Sequence, residues 1–284
     1  MALFRVAFFT SLAIHFFPAL LWLDDAYAPG ALRSMEWNGW LFVHFTDFPR
    51  PLVRAASVVT MLACTAGIVG FRPRIAAIVS GIGLYAFASF NGFPVQTLAI
   101  VDTWALLLLW SICGGGSAVW SVDAWLARRS GKTMPPEPKL FASLALYQTM
   151  LAVFFAGIEK VLAGWPGTNE MGVLLSYPKG FFVRDWVWSS NWLHGAGITT
   201  ALTWATLVVE IGMPTLLVYK KTRLAALALY EAFFLGIIAM LEVPPLFYGM
   251  FAFGGLLALD DDDVASIEAR LRKVFGYARR SEAA

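Results

Sequence analysis

Residues 140–162 read LFASLALYQTMLAVFFAGIEKVL, and this stretch decides the class of fold. No charged side chain interrupts it before Glu159. An α-helix rises 1.5 Å per residue, so an uncharged run of this length covers the roughly 30 Å of a bilayer's hydrocarbon core. The stretch therefore predicts a transmembrane helix that ends on two ionisable side chains, Glu159 and Lys160.

The composition of the whole chain agrees with a membrane location. Apolar residues make up 59% and charged residues 14% of the 284 residues, and the mean hydropathy is +0.67. Soluble domains are about half apolar and a quarter charged, so this composition excludes an ordinary soluble domain. The net charge of +2 is small, and basic residues lie between apolar runs, so no nucleic-acid partner is expected. Cys64 and Cys113 lie in apolar segments and indicate neither a disulfide framework nor a metal site.

Outward from residues 140–162, similar apolar runs recur along the chain. They predict an all-α, multi-pass membrane helix bundle with about eight transmembrane helices. The predicted spans lie near residues 3–23, 52–70, 75–92, 94–112, 140–162, 196–218, 223–243 and 245–259.

The basic residues predict the orientation of these spans. Most of the 21 lysines and arginines fall on one side of the eight-span arrangement, and the positive-inside rule makes that side cytoplasmic. Both termini are then cytoplasmic, and the expected location is the cell inner (plasma) membrane. The opposite side carries two long loops, about 24–51 and 163–195, in which a substrate pocket or lid could form. Aromatic residues concentrate there: Trp37, Trp40, Trp165, Tyr177, Phe181, Phe182, Trp186, Trp188 and Trp192.

The chain divides into a transmembrane domain, residues 1–259, and a cytoplasmic tail, residues 260–284. The tail opens with four aspartates at 260–263, which favour a helix start. Apolar and basic residues then alternate with helical spacing. This pattern predicts a basic amphipathic helix that either lies on the anionic inner leaflet or is simply solvated.

Ionisable residues at membrane depth are the candidates for chemistry. A charge at the bilayer centre costs at least ~2.5–3.5 kcal/mol, so such residues usually face a cavity or one another. Helical rise places Glu210 and Glu231 near mid-membrane, Asp102 in the outer half and Lys160 near the outer interface. The remaining members of the set are His15, Glu159 and Glu242.

Each candidate has a structural alternative. His15 is best explained as a neutral histidine hydrogen-bonded between helices. Glu210, Glu231 and Asp102 either line a pocket or act as protonated acids that join helices. Lys160 either loses its proton and serves as a base, or extends its ammonium group to the outer headgroups.

The residues around Lys160 also carry a family resemblance. Residues 155–161 read FAGIEKV and are followed by Gly-Trp at 164–165, while residues 120–124 read WSVDA. These two motifs, in this order, resemble those of the vitamin-K-dependent gamma-carboxylase-like family, also called the horizontally transferred transmembrane (HTTM) domain. The resemblance covers nearly the whole chain. It implies a membrane-embedded helical core and a quinone or quinol as cofactor or substrate.

The resemblance also implies roles for individual residues. Lys160 stands where the carboxylase has the lysine that deprotonates vitamin K hydroquinone. Asn91 matches an asparagine that a histidine follows in the carboxylase, whereas this chain has Gly92. Glu231 stands where a later helix of the carboxylase has a histidine. Only 25 residues follow Leu259, so the peptide-binding domain of the carboxylase, and glutamyl carboxylation with it, is not expected.

Two function classes follow. In the first, the protein is an enzyme that acts on a quinol or another lipid-soluble substrate, with Lys160 as base. Its catalytic partners would be Asp102, Glu210 and Glu231, and its substrate contacts Asn91, Trp120, Asp123 and Trp165. In the second, the protein is a non-catalytic membrane subunit or scaffold, whose partners are membrane lipid and other membrane subunits. A transporter is disfavoured because no paired inverted repeat is evident.

Overall fold

Helices form nearly all the regular structure of the computed structural model, which describes residues 1–21, 49–87, 94–135, 139–176, 183–242 and 247–275. Within these ranges, β-structure is confined to one isolated bridge between Val183 and Leu241. The prediction of an all-helical fold is confirmed. The eleven helices of the described ranges are α1 (Ala2–Leu21), α2 (Arg50–Val69), α3 (Pro73–Phe87), α4 (Pro94–Cys113), α5 (Val122–Arg129), α6 (Lys139–Leu162), α7 (Glu170–Leu175), α8 (Asp185–Trp188), α9 (Ala196–Val218), α10 (Arg223–Met240) and α11 (Asp261–Phe275).

Several of these helices have the length and apolarity needed to cross a membrane. Among the described residues, α2, α6, α9 and α10 are long and apolar enough. Three shorter apolar stretches, Ala2–Phe17, Pro73–Tyr85 and Val101–Cys113, lie in α1, α3 and α4. The chain is therefore a multi-pass membrane protein, while the number of crossings and their orientation remain predictions.

The segment predicted as the eighth span is not a continuous α-helix. Its described part forms a π-helical turn, Tyr248–Ala252, and then a 3₁₀ turn, Gly254–Ala258. Glycines in this segment let its backbone lie close against neighbouring helices. A Cβ added at Gly249 would lie 2.9 Å from the Cβ of Ser11 in α1, and one at Gly254 would lie 2.7 Å from the Cγ2 of Thr149 in α6.

Helices α1 to α4 pack as sequential neighbours around an aromatic core. The indole of Trp110 in α4 is fully buried. It contacts Phe9 of α1, with ring centroids 5.2 Å apart, and Phe141 of α6, with centroids 4.8 Å apart. Small residues bring the backbones close, as packing within lipid requires. A Cβ at Gly67 of α2 would overlap the ring of Phe9.

Helices α6, α9 and α10 form a second core with the turns at 248–258. The hydroxyl of Tyr230 in α10 donates a hydrogen bond of 2.8 Å to the carbonyl of Phe251, which fixes the π-helical turn against α10. Gln148 of α6 donates a 3.0 Å hydrogen bond to the carbonyl of Asp102 in α4, and thereby joins the two cores.

A cap made of α7, α8 and the 3₁₀ turn Asn191–His194 covers one end of α9 and α10. Arg184 donates to the carbonyl of Ile238 at 2.9 Å, and Trp186 donates to the carbonyl of Ala239 at 2.8 Å. These bonds satisfy carbonyl groups that the end of a helix leaves without intrahelical partners. Part of the long loop predicted at 163–195 is thus an ordered cap.

Candidate functional site

The motif around Lys160 brings α6 and α9 into close contact. Gly157 lies one turn before Lys160, on the same face of α6. A Cβ at Gly157 would lie 2.7 Å from the Cγ1 of Ile211 and 3.0 Å from the Cβ of Glu210. Only glycine allows α9 to approach this closely, so the glycine of the motif sets the distance that the lysine must span.

Lys160 and Glu210 form an ion pair across this contact. The Nζ of Lys160 donates to both carboxylate oxygens of Glu210, each at 2.8 Å. It also donates a longer bond, 3.4 Å, to the carbonyl of Ala156. The Lys160 side chain is 23% exposed and that of Glu210 is 10% exposed. The ammonium group is directed at α9, a neighbouring helix, and at the carboxylate that this helix presents.

Trp165 closes one side of this ion pair. It begins the 3₁₀ turn that follows α6, and Gly164 precedes it with a φ of 82°, a left-handed conformation that favours glycine. The turn brings the indole ring to 5.4 Å from the Nζ of Lys160, measured to the ring centroid. This distance fits a cation–π contact. The Gly-Trp part of the motif therefore belongs to the same site as the lysine.

The ion pair lies near the end of α6 but far from the end of α9 on the same side. Starting from the contact at Gly157, α6 ends at Leu162, about 8 Å further along. In the same direction α9 continues from Glu210 to Ala196, about 21 Å. The cap lies beside this extension of α9. Sequence reasoning put Lys160 at the outer interface and Glu210 near mid-membrane, but the two side chains are hydrogen-bonded.

Glu159 and Lys160 diverge, as predicted. Glu159 is exposed, while the neighbouring lysine is half-buried against α9. Adjacent residues of a helix do not face one another, so the carboxylate of Glu159 does not compete with that of Glu210. Glu242, the other acid predicted near the outer interface, is also exposed.

Pro214 alters the backbone beside the pair. It lies inside α9, four residues after Glu210. Proline has no N–H, so it cannot donate the intrahelical bond that the carbonyl of Glu210 would otherwise accept, and its ring crowds that carbonyl. The backbone at Glu210 is therefore more adaptable than the rest of α9.

Glu231 and Asp102 make their contacts elsewhere. Glu231 lies on α10 against the 3₁₀ turn, and a Cβ at Gly255 would lie 3.1 Å from its Oε1. This oxygen is buried and has no hydrogen-bond partner among the residues that the structure describes. Asp102 is half-buried on α4, where its backbone carbonyl accepts the bond from Gln148. The catalytic roles of Glu231 and Asp102, and the prediction that two of the three acids share one cavity, remain predictions.

The WSVDA motif, residues 120–124, holds α5, the turn between α2 and α3 and the side chain of Arg5 together at the opposite end of α6 from Lys160. Ser121 caps α5 by accepting a 3.0 Å bond from the N–H of Ala124. A carboxylate oxygen of Asp123 accepts a 2.9 Å bond from the N–H of Arg72, in the turn between α2 and α3. Trp120 is 68% exposed, and its carbonyl accepts a bond from Arg5.

These contacts give the motif a structural role in the fold. A role of Trp120 and Asp123 in substrate binding remains a prediction. Asn91, the remaining candidate for substrate binding, lies outside the described residues. Across the described ranges, no three His, Cys, Asp or Glu side chains converge as a metal site requires.

Sequence reasoning missed the structural role of Arg5. It treated this residue only as a marker of orientation, yet its side chain is fully buried and donates to the carbonyls of Gly116 and Trp120. Gly116 has a φ of 77°, and Gly114 and Gly115 also have positive φ values. The run Gly114-Gly115-Gly116 was the available signal, because consecutive glycines often mark a backbone folded tightly around another group.

Three of the four aspartates after residue 259 make ion pairs that the sequence did not reveal. Arg223, the first residue of α10, donates to Asp260 at 2.8 Å and to Asp263 at 2.7 Å. Lys220 donates to Asp262 at 2.7 Å. The carboxylates of Asp260 and Asp263 each accept a bond from the other residue's N–H, so the predicted start of a helix is correct.

Comparisons with known proteins give one match. A family model described as the HTTM domain matches residues 1–259. No curated protein and no solved structure matches the chain.

Proposed function

The chain belongs to the HTTM-domain family, which is related to the vitamin-K-dependent carboxylases, and we propose that it deprotonates a lipid-soluble hydroxyl substrate of the quinol class. Lys160 is the base in this proposal, and Glu210 is the group with which it exchanges a proton. The observation that carries the proposal is the pair itself, with two 2.8 Å bonds between Nζ and the carboxylate inside the helix bundle.

The pair can exist in two protonation forms. In one form Lys160 is an ammonium and Glu210 a carboxylate. In the other the proton has moved to Glu210 and Lys160 is a neutral amine, which is the form that acts as a base. The amine then takes the proton of the substrate hydroxyl, which leaves a quinolate anion beside the new ammonium. A pair that exchanges a proton internally supplies this base without a free charge in lipid.

Trp165 supports the proposal from the substrate side. Its indole ring lies against the Lys160 ammonium and offers a flat apolar face at the level of the reacting nitrogen. A planar aromatic substrate would stack on such a face. The adaptable backbone at Glu210 would allow the carboxylate to move as the proton is exchanged.

A second candidate function rests on a different observation at the same residues. The three N–H donors of Lys160 match three acceptors, namely the two carboxylate oxygens and the Ala156 carbonyl. Together with the close contact at Gly157, this arrangement also suits a clamp that holds α6 to α9. The protein would then be a non-catalytic membrane subunit or scaffold that has kept the family fold.

A Lys160→Arg variant separates these functions. Arginine keeps the charge and can form a bidentate pair with Glu210, but it does not lose its proton in proteins. The test uses the full chain in nanodiscs that contain a naphthoquinol with an isoprenoid chain, under air. Dioxygen takes two electrons and two protons from the quinol, which gives the quinone and hydrogen peroxide. Because the quinolate is oxidised faster than the neutral quinol, a base accelerates this reaction, and absorbance follows it.

The proposal expects wild type and Glu159→Gln to accelerate quinol oxidation above that in empty nanodiscs. It expects Lys160→Arg and Lys160→Met to lose the acceleration, while Lys160→Arg keeps the thermal stability of wild type. Glu159→Gln is the matched control, because Glu159 is adjacent in sequence but exposed. Equal rates in wild type and empty nanodiscs would favour the scaffold.

A further inference from the structure

Helix α5 and the turn between α2 and α3 carry exposed aromatic and basic side chains that the Lys160 site does not use. Trp125 and Leu126 of α5 are 51% and 42% exposed, although both are large apolar residues. Ala124 lies on the opposite side of the helix from Leu126 and is buried. The apolar side of α5 is therefore directed away from the protein. We refer to residues 70–74 and 119–132 together as the α5 surface.

The α5 surface lies at the height where the membrane core ends. Helix α2 is long and apolar enough to span the membrane, and its 20 residues measure about 30 Å, the thickness of the hydrocarbon core. The end of α2 then lies at the boundary between acyl chains and head groups. The carbonyl of Gly70, directly after α2, accepts a 3.3 Å hydrogen bond from the N–H of Asp123. Helix α5 therefore begins at that boundary.

The charge of the α5 surface is positive and largely uncompensated. Arg72, Arg128, Arg129 and Lys132 have exposed side chains. None of them belongs to an ion pair within the part of the chain that the structure describes. The one acid of the surface, Asp123, accepts its hydrogen bond from the backbone N–H of Arg72. The surface is thus complementary to anions.

Two guanidinium groups of the surface lie over aromatic rings. Arg129 lies 5.4 Å from the ring centroid of Trp125, and Arg72 lies 5.8 Å from that of Phe71. A guanidinium that stacks by its face keeps the N–H groups at its edge available to a phosphate. Tryptophan and arginine side chains combine apolar and polar parts, which suits the layer between acyl chains and head groups.

Backbone strain gives independent support for a function of this surface. Among the described residues, Arg72 and Trp120 are the two non-glycine residues with positive φ, at 45° and 49°. This conformation is unfavourable for a side chain larger than glycine, and it persists only where other contacts hold it. The N–H of Arg72 is held by Asp123, and the carbonyl of Trp120 is held by Arg5. The fold thereby keeps two exposed side chains on the α5 surface despite the strain.

We propose that the α5 surface binds the phosphate groups of anionic phospholipids in the adjoining leaflet. Trp125 and Leu126 lie at the upper end of the acyl chains, and the guanidinium groups of Arg72 and Arg129 contact the phosphates. The positive-inside rule predicts that this end of the bundle is cytoplasmic, where the leaflet is rich in anionic lipid. The surface lies at the opposite end of α6 from Lys160, so this proposal and the proposed function can fail separately.

The depth of Leu126 in the membrane is the first test. A nitroxide is attached at Leu126→Cys in the full chain with Cys113→Ser, because Cys64 is buried. In nanodiscs of phosphatidylcholine and phosphatidylglycerol, this nitroxide should be more accessible to dioxygen than to a water-soluble nickel chelate. Lys221→Cys, in the exposed turn between α9 and α10, is the reference for water. A Leu126 nitroxide as accessible to the chelate as that at Lys221 would leave the surface to a soluble partner and overturns the proposal.

The second test measures the preference for anionic lipid. Phosphatidylglycerol and phosphatidylcholine probes, each with a diazirine near the glycerol end of one acyl chain, are compared at equal mole fraction. Peptides from residues 119–132 should be labelled more strongly by the phosphatidylglycerol probe. Arg129→Gln should lower the ratio of the two labels by about fivefold, the factor that corresponds to about 1 kcal/mol for a basic residue near an anionic surface.

Two variants control for charge and folding in this second test. Lys221→Gln removes the same charge from an exposed position at the same end of the bundle and should keep the wild-type ratio. Arg129→Lys keeps the charge and should retain most of the preference. Equal labelling of wild type by the two probes, or equal ratios in Arg129→Gln and Lys221→Gln, overturns the proposal.

Discussion

Replacing Gly157 with alanine tests whether the close contact of α6 and α9 holds the Lys160–Glu210 pair. The new Cβ would lie 2.7 Å from the Cγ1 of Ile211, whereas carbon atoms pack at about 3.5–4.0 Å. A gap of about 1 Å must therefore open. Ile211 is β-branched and has one strongly preferred rotamer in a helix, so the backbone has to move.

The size of the effect follows from two opposing contributions. Overpacking costs about 1–3 kcal/mol, and alanine regains about 0.5–1 kcal/mol relative to glycine within a helix. The net loss is about 0–2.5 kcal/mol and centres at about 1 kcal/mol, which lowers the melting temperature by a few degrees at about 2–4 °C per kcal/mol. A shift of about 1 Å also lengthens the 2.8 Å bonds beyond good hydrogen-bond distance.

Thermal unfolding in nanodiscs measures the first effect, and quinol oxidation measures the second. Gly212→Ala is the matched control, because a Cβ there meets nothing within 4 Å and Gly212 lies on α9 next to Ile211. We expect this control to unfold at or above the wild-type temperature. The reasoning is refuted if Gly157→Ala and Gly212→Ala have the same melting temperature.

Three further predictions concern the ends of the bundle. Tags fused to the two termini should both be cytoplasmic in sealed vesicles, and protease access to them from opposite faces would contradict the even number of spans. Hydrogen bonds from the Asp263 N–H and Arg223 lower the pKa of Asp260 to about 2. Because this value is below the unfolded value of about 3.9, the contribution of Asp260 to stability is present above about pH 4 and lost toward pH 2. Deuterium exchange of the α11 amides, corrected for intrinsic rates, should become faster between about pH 4 and about pH 2 in wild type but not in Asp260→Asn. Equal pH profiles in the two proteins would exclude this contribution of Asp260. Ser121→Ala removes the cap of α5 and should lower the free energy of unfolding by about 1 kcal/mol, as measured by thermal unfolding. Ser130→Ala, at an exposed serine, should lower it by less. Equal losses in the two variants would argue against a stabilising role of the Ser121 cap.

The helices were predictable because the lipid environment imposes a simple rule. Within lipid, the backbone N–H and C=O groups of a long apolar run must be hydrogen-bonded to one another, which a helix achieves. Runs such as 140–162 and 196–218 therefore predict helices, with bounds close to those observed. The last apolar run, at 245–259, departs from the rule. Hydropathy does not show that the backbone at Gly249 and Gly254 lies against other helices. The segment that makes these contacts forms a π-helical turn and a 3₁₀ turn.

The candidate site was only partly predictable for a related reason. The motif identified Lys160 and Trp165, and ionisable residues at membrane depth drew attention to Glu210. Pairing between helices depends on their relative heights, and counting residues from each helix end placed Lys160 and Glu210 at different depths. The missing information was how far α6 and α9 are shifted relative to one another along their axes, which depends on contacts between helices such as that at Gly157.

Pro214 has a mechanical consequence. Because α9 lacks one backbone bond at this level, bending there requires less force than bending elsewhere along the helix. The point of easiest bending in α9 therefore lies beside the carboxylate of Glu210. In the proposed mechanism, bending of α9 at this point would change the separation of Lys160 and Glu210.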